Sequence, residues 1–172
     1  MRDKTDSLKA VSPKEFRPRI VAFVCNWCSG VDGSSLGSPG SPEGAAHGKT
    51  ATGETGKARK SNSSNVRIVN VMCSGRVTPG LVLKAFELGA DGVMVCGCEK
   101  GACHYSFGNE RQVEMFETSR KLAGLIGLEH ERLRLDWLSP DGREGLCKAM
   151  TEFVEQVTLV GPSPLRKSGG MG

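Results

Sequence analysis

The sequence predicts a small α/β domain built on a parallel sheet, and three observations carry that prediction. Short strand-like runs recur at 20–24, 66–72 and 92–96, the first continuous, apolar and β-branched, as expected for a strand buried on both faces. Segments with apolar residues at three- and four-residue steps follow the second and third runs and close the chain. Finally, Cys25, Cys73 and Cys98 stand where the three runs stop. In a parallel sheet all strand C-termini share one edge, and ligands gather there.

Residues 1–18 are charged and end in Ser-Pro-Lys-Glu-Phe-Arg-Pro, which reads as a flexible N-terminal segment. The domain is expected to span 19–162 and opens with the strand at 20–24. From about 29 to 65 the chain is dominated by Gly, Ser, Thr, Ala and Pro, with almost no large apolar residue. Such a stretch buries too little surface to offset its ordering entropy, so a flexible low-complexity insert with at most a short helical turn is expected. A parallel strand pair still requires a crossover there. Strand 66–72 follows. Thr78 as N-cap, Pro79 at the first helical position, and Leu81, Val82, Ala85 and Phe86 on one face define a helix that Gly89 stops. With the strand at 92–96 it makes a βαβ unit, right-handed by the general rule.

A second helix is expected over 109–126, with Met115, Phe116, Leu122, Ala123 and Ile126 facing inward and Gly127 ending it. The run Arg132-Leu133-Arg134-Leu135-Asp136-Trp137 alternates, as an edge strand with one wet face does. The last helix starts near 141 or 144 and runs to about 159, burying Leu146, Met150, Phe153 and Val157. Gly161-Pro162 ends it, and 163–172 reads as a flexible tail. About four strands alternating with helices make a doubly wound, flavodoxin-like sheet.

Composition narrows the function. The 172 residues suffice for one domain with a core. The formal charge is +4, but much of the Lys and Arg lies near the two ends, and only one Tyr is available for base stacking. Nucleic-acid binding is therefore not expected. No apolar stretch is long enough for membrane insertion, and the charged N-terminus lacks the apolar core of a secretory signal. A cytoplasmic, reducing location is the expectation. There, seven cysteines point to metal or redox chemistry rather than to a disulfide framework.

Five of them are candidate metal ligands: Cys25 and Cys28 in Cys-Asn-Trp-Cys, Cys73, and Cys98 and Cys103 in Cys-Glu-Lys-Gly-Ala-Cys-His. Spacing leaves three chemistries open. An iron–sulfur cluster needs four thiolates in a dry, curved loop environment, and Gly30, Gly75, Gly97 and Gly101 are interleaved with the candidates. A structural Zn²⁺ prefers two Cys-x-x-Cys knuckles, and only one is present. A dithiol/disulfide oxidoreductase acting through Cys25 and Cys28 would place its Cys-x-x-Cys at the start of a helix, and the following Gly-Val-Asp-Gly-Ser-Ser starts a helix poorly. Cys96, inside a strand, and Cys147, beside Leu146, read as core thiols. His104 reads as a donor next to the site more readily than as a ligand. Trp27 would shield the site or meet a partner. Arg76, Lys100 and Arg111 belong near the same edge, either favouring a reduced cluster or as solvated charges. His47 and His130 read as surface residues. No Gly-x-Gly-x-x-Gly, Walker loop or Ser/His/Asp pattern accompanies the strands, which argues against a nucleotide cofactor.

The blocks Val-Cys-Asn-Trp-Cys-Ser, Val-Met-Cys-Ser-Gly-Arg-Val, Lys-Ala-Phe-Glu-Leu-Gly-Ala-Asp-Gly-Val, Gly-Cys-Glu-Lys-Gly-Ala-Cys-His-Tyr, Gly-Asn-Glu-Arg and Glu-Arg-Leu-Arg-Leu-Asp-Trp-Leu-Ser occur in this order. Together they resemble the delta (iron–sulfur) subunit of methyl-viologen-reducing hydrogenase, over about 19–162 apart from the insert. The resemblance implies an electron-transfer subunit without substrate chemistry of its own. It also implies one [2Fe–2S] cluster ligated by four of Cys25, Cys28, Cys73, Cys98 and Cys103. The implied partners are a hydrogenase or formate dehydrogenase module and a heterodisulfide reductase A-type flavoprotein. Cys96 falls outside the family's motif, at a position the family fills with a small residue. The chain departs from the pattern after Cys28, where residues 30–64 replace a compact segment containing an aromatic and prolines. A dithiol oxidoreductase and a zinc-stabilised interaction module are the alternative readings.

Overall fold

The structure, a computed structural model, describes residues 16–29, 65–139 and 143–166. The side chains of 28, 29, 65 and 143 lie outside that description, as do the proposed insert between 30 and 64, most of the N-terminal segment, and 167–172.

Four parallel strands form one sheet: β1 (Arg19–Cys25), β2 (Asn65–Val71), β3 (Gly92–Cys98) and β4 (Leu133–Leu138), in the order β2-β1-β3-β4. The helices are α1 (Asn26–Ser29), α2 (Pro79–Glu87), α3 (Gly108–Leu125) and α4 (Arg143–Val160). Single 3-10 turns at Ser74–Arg76 and His130–Arg132 complete the described elements. The doubly wound α/β class expected from the sequence is the one observed.

Strand alternation feeds two cores. Ile20, Ala22, Val24, Met94 and Cys96 pack against Leu146, Met150, Phe153 and Val157 of α4. Phe23, Val93 and Val95 pack against Val82 and Phe86 of α2 and Phe116 and Ala123 of α3. Each fully buried Phe or Val contributes on the order of 1.5–3 kcal/mol. α2 starts as expected: Thr78 is the N-cap and its hydroxyl accepts the Leu81 N–H at 3.4 Å, with Pro79 next. Gly89, at φ +95°, takes the left-handed turn that ends the helix.

Three elements differ from expectation. The inward face of α3 is largely polar, formed by Gly108, Asn109, Gln112, Phe116, Ser119 and Ala123, whereas Leu122 and Ile126 are exposed. The first half of α3 lies over the Ser74–Arg76 turn and the cysteine loops, where the Asn109 amide donates to the Cys98 and Glu99 carbonyls, whereas Ser119 donates to Met115 O of its own helix. Apolar periodicity therefore misplaces the buried stripe. Second, a helical turn (α1) does form directly after Cys25. Third, Arg132 belongs to no wet strand face; it is 1% exposed. It donates to the carbonyls of Asp91 (3.1 Å), Gly161 (2.8 Å) and Pro162 (3.0 Å), and pairs with Glu129 at 2.6 Å.

Asp91, fully buried, accepts N–H groups from Arg19 and Ser163 and pairs with Arg166 at 2.9 Å. Residues 163–166, the start of the segment read as a tail, are thereby held against the domain, and Leu165 packs on the α2–α3 core. Arg19, Asp91 and Arg132 all precede or open strands. The charged network thus ties together the N-terminal edge of the sheet, and the opposite edge is left to the cysteines.

Candidate metal centre

Strand order positions the site. From β1 the sheet grows to β2 on one side and to β3 on the other, so a crevice opens between the C-terminal ends of β1 and β3. Cys25 and Cys98 are the last residues of those two strands. Both are buried, and their Sγ atoms are 3.7 Å apart. Two thiolates sharing one tetrahedral metal ion at about 2.3 Å each would stand about 3.8 Å apart, so this pair is spaced for a common ion.

A second pair lies beside it. Cys73 follows β2 in extended backbone (φ −153°, ψ 137°), where it precedes the Ser74–Arg76 turn, and it is 7% exposed. Cys103 is carried by two successive turns, closed by Ala102 N–H on Glu99 O and Ser106 N–H on Cys103 O, both at 3.0 Å. Gly101 (φ +84°) and Ser106 (φ +68°) supply the left-handed residues that this loop needs. The loop is tied to α3 by the Asn109 side-chain amide, which donates to Glu99 O at 2.9 Å.

The two thiols meet at Gly108, the first residue of α3. A Cβ at that position would lie 2.2 Å from Cys73 Sγ and 3.1 Å from Cys103 Sγ. A Cβ on Gly75 would in turn lie 2.5 Å from Gly108 O, so the two glycine backbones interlock. The sulfur atoms occupy the space a side chain would fill. Burial pushes the Cys73 thiol above its ordinary pKa, a Gly75 N–H works against this, and the neighbouring Cys103 and Cys25 raise it further. A bound cation reverses that preference by displacing the thiol protons.

Four of the five predicted ligands, Cys25, Cys73, Cys98 and Cys103, are therefore brought to one place from three strand ends. Among the described residues no three or more His, Cys, Asp or Glu side chains are arranged to hold a metal ion as a single group; the thiols stand as two pairs. Cys28 lies on α1, and its side chain is outside the description. Cys96 is fully buried beneath α4, and burial, followed by the Asp136 charge, pushes its pKa far up. It is the core thiol that its strand position suggests. Cys147 is half-buried beside fully buried Leu146.

His104 stacks on Trp27, ring centroids 3.6 Å apart and planes within 10°, and Trp27 Nε1 donates to the Tyr105 hydroxyl at 3.3 Å. The aromatic group joins the Cys-Asn-Trp-Cys turn to the Cys103 loop, with Trp27 half exposed. Arg76 and Arg111 line a cleft beside Cys73, whereas Lys100 is exposed in the loop after β3. His130 is exposed, and His47 lies outside the described residues. Gly108, Asn109, Tyr105 and Phe107 are functional neighbours that periodicity does not reveal. One signal does point to them: α3 opens on Gly with no side-chain cap, an expensive helix start unless something must approach closely.

The family model for the methyl-viologen-reducing hydrogenase delta subunit matches residues 45–161. The chain is 32% identical over 159 residues to the vhc iron–sulfur D subunit of the F420-non-reducing hydrogenase of Methanococcus voltae, covering 91% of this chain and 96% of the relative. It is 38% identical over 151 residues to the iron–sulfur D subunit of the F420-non-reducing hydrogenase of Archaeoglobus profundus, covering 87% and 95%. It is 34% identical over 153 residues to the A subunit of the ferredoxin:CoB–CoM heterodisulfide reductase of Methanosarcina mazei, covering 89% of this chain but 17% of that protein. In that relative the matching region is one part of a much longer polypeptide.

Proposed function

The chain belongs to the methyl-viologen-reducing hydrogenase delta-subunit family, and on that premise we propose that it is an electron-transfer subunit carrying one [2Fe–2S] cluster. The observation that carries the reading is the meeting of four thiols, as two pairs, at the switch point of the sheet. When bound, the cluster supplies one-electron redox chemistry. Cys25 and Cys98 would hold one side of it, and Cys73 and Cys103 the other.

The chain's own contribution is positioning and shielding. β1 and β3 fix one thiol pair through their register, in which Val24 lies beside Cys96. Gly108 lets the other pair approach the backbone at the start of α3. The sheet and α4 bury Cys25 and Cys98 in an apolar core, which keeps water from the sulfurs. Trp27, His104 and Tyr105 cover the loop side. The proposed partners are a hydrogenase and a heterodisulfide reductase A-type protein, as the names of the relatives suggest. Those names give no support for a formate dehydrogenase, which stays outside the proposal. Among the described residues no helix is long and apolar enough to cross a membrane. A cytoplasmic location is part of the proposal and rests on the reduced thiols that a cluster needs.

Anaerobic purification with iron and acid-labile sulfide analysis, and electron paramagnetic resonance of the reduced protein, tests the reading. The expected result is two iron and two sulfide per chain and a paramagnetic reduced state. A colourless protein with stoichiometric zinc would overturn it. Serine variants at Cys25, Cys28, Cys73, Cys98 and Cys103 then identify the ligands, with iron loss expected at Cys25, Cys73, Cys98 and Cys103.

A further inference from the structure

Beside the thiol pairs the surface changes character. A cleft of about 280 Å³ is lined by Met72, Cys73, Gly75, Arg76, Tyr105, Phe107, Gly108 and Arg111. Its floor contains Cys73 and the Gly108 backbone against which Cys103 also rests. Its walls are large apolar side chains left in solvent: Met72 is 55% exposed and Phe107 71%, and Tyr105 is also exposed. Apolar side chains of this size gathered in one place, rather than scattered singly, mark a contact surface.

The charge at the cleft is one-sided. Arg76 and Arg111 are both exposed, and neither guanidinium has a hydrogen-bond or ion-pair partner among the described residues. No carboxylate is among the lining residues. Exposed Lys84 and Arg120 are matched locally, by Glu87 (3.0 Å) and Glu117 (3.7 Å), whereas exposed Arg67, Lys100, Lys121 and Lys148 are unmatched among the described residues like the two cleft arginines, which differ from them in flanking the apolar cleft together. Two unmatched arginines flanking an apolar cleft over a buried thiol suit a partner that brings carboxylates. Arginine and aromatic residues are also the types that anchor protein interfaces.

We infer that this cleft is the electron port of the subunit, docking the carboxylate-rimmed, cofactor-bearing face of a redox protein so that electrons pass at Cys73. The inference rests on the cluster reading above and adds the route and the charge of the partner. Cys98 and Cys25 are buried within the core and Cys103, though partly exposed, is not among the lining residues, so Cys73 is the thiol of the set that faces the cleft.

The test uses the full-length protein with its cluster, reduced by dithionite and freed of excess reductant. Reoxidation is followed with anionic hexacyanoferrate(III) and with cationic hexaammineruthenium(III); each accepts one electron as the cluster returns to its oxidised state. Two double variants with the same change in net charge are compared: Arg76→Glu/Arg111→Glu at the cleft, and Lys121→Glu/Lys148→Glu at positions outside it. Iron content and the visible spectrum are checked first. The cleft variant should oxidise about tenfold more slowly with hexacyanoferrate and faster with hexaammineruthenium at low ionic strength, both differences fading near 1 M salt. The control variant should shift each rate less than about twofold. The cleft variant should also bind a heterodisulfide reductase A-type flavoprotein at least about tenfold more weakly than the control variant does. Equal effects of the two variants, with the cluster intact, would overturn the port and leave the cluster standing. A protein that assembles no cluster would overturn both.

Discussion

Replacing Gly108 with alanine adds one methyl group at the point where the two thiols of the second pair meet. The new Cβ would lie 2.2 Å from Cys73 Sγ and 3.1 Å from Cys103 Sγ. Ordinary contact needs about 3.5–4.0 Å, so Cys73 Sγ or the start of α3 must move by about 1.5 Å. Neither has an easy retreat. Cys73 is held between β2 and the Ser74–Arg76 turn, and Gly108 O already leaves no room for a Cβ on Gly75. Overpacking of this kind costs about 1–3 kcal/mol, more than the few tenths to 1 kcal/mol that alanine gains over glycine in a helix. Gly124→Ala is the internal control on the same helix, since its Cβ would meet only His130 Cε1, at 3.7 Å. Urea unfolding of the metal-free proteins should therefore show Gly108→Ala destabilised by about 1–2 kcal/mol and Gly124→Ala neutral or stabilised by up to about 1 kcal/mol. Reconstitution with iron and sulfide should fill Gly108→Ala to less than half the wild-type level, read by absorbance and metal analysis. Wild-type unfolding and wild-type iron uptake in Gly108→Ala would refute the claim that the thiols occupy the glycine's side-chain space.

Three further outcomes are expected. Arg132→Met should cost about 1–3 kcal/mol in urea unfolding, because it leaves the buried Asp91 carbonyl and the less buried Gly161 and Pro162 carbonyls without their donor and removes the pairing with half-exposed Glu129; a loss below about 0.5 kcal/mol would show the network to be redundant. Cys96→Ala should retain the cluster and flatten the alkaline limb of stability. The folded-state pKa of Cys96 is raised by burial, so its contribution is complete below the unfolded thiol pKa of about 8.5 and is lost as pH rises above it, at about 1.4 kcal/mol per pH unit. Unfolding of the metal-free proteins between about pH 8 and 10 checks this, and parallel profiles for wild type and variant would count against it. Trp27→Ala removes the stack on His104 and the hydrogen bond to Tyr105, and should speed iron release to a chelator several-fold at a folding cost of about 0.5–1.5 kcal/mol; Trp27→Phe, which can still stack, should restore most of the retention.

Whatever depends on local pattern is legible in the sequence alone. The continuous β-branched run of β1 gives a largely buried central strand, Thr78-Pro79 and Gly89 bracket α2, and cysteines at strand ends must share an edge if the strands are parallel. Motif blocks are enough to assign the family, because residue types in a fixed order survive without coordinates. Which thiols pair is a different kind of fact. It depends on the lateral order β2-β1-β3-β4, which places β1 beside β3 and so Cys25 beside Cys98, 73 positions apart in sequence. Spacing along the chain marks Cys25 and Cys28 as neighbours because it measures contour length, whereas the contact of Cys25 with Cys98 is a matter of distance through space. The same holds for α3, whose Asn109 turns inward to carbonyls of the loop after β3, and for Arg132, buried where two chain segments bring three carbonyls to it. Gly108 shows the division most plainly: the sequence records a glycine at a helix start, and only the fold shows two sulfur atoms where its side chain would be.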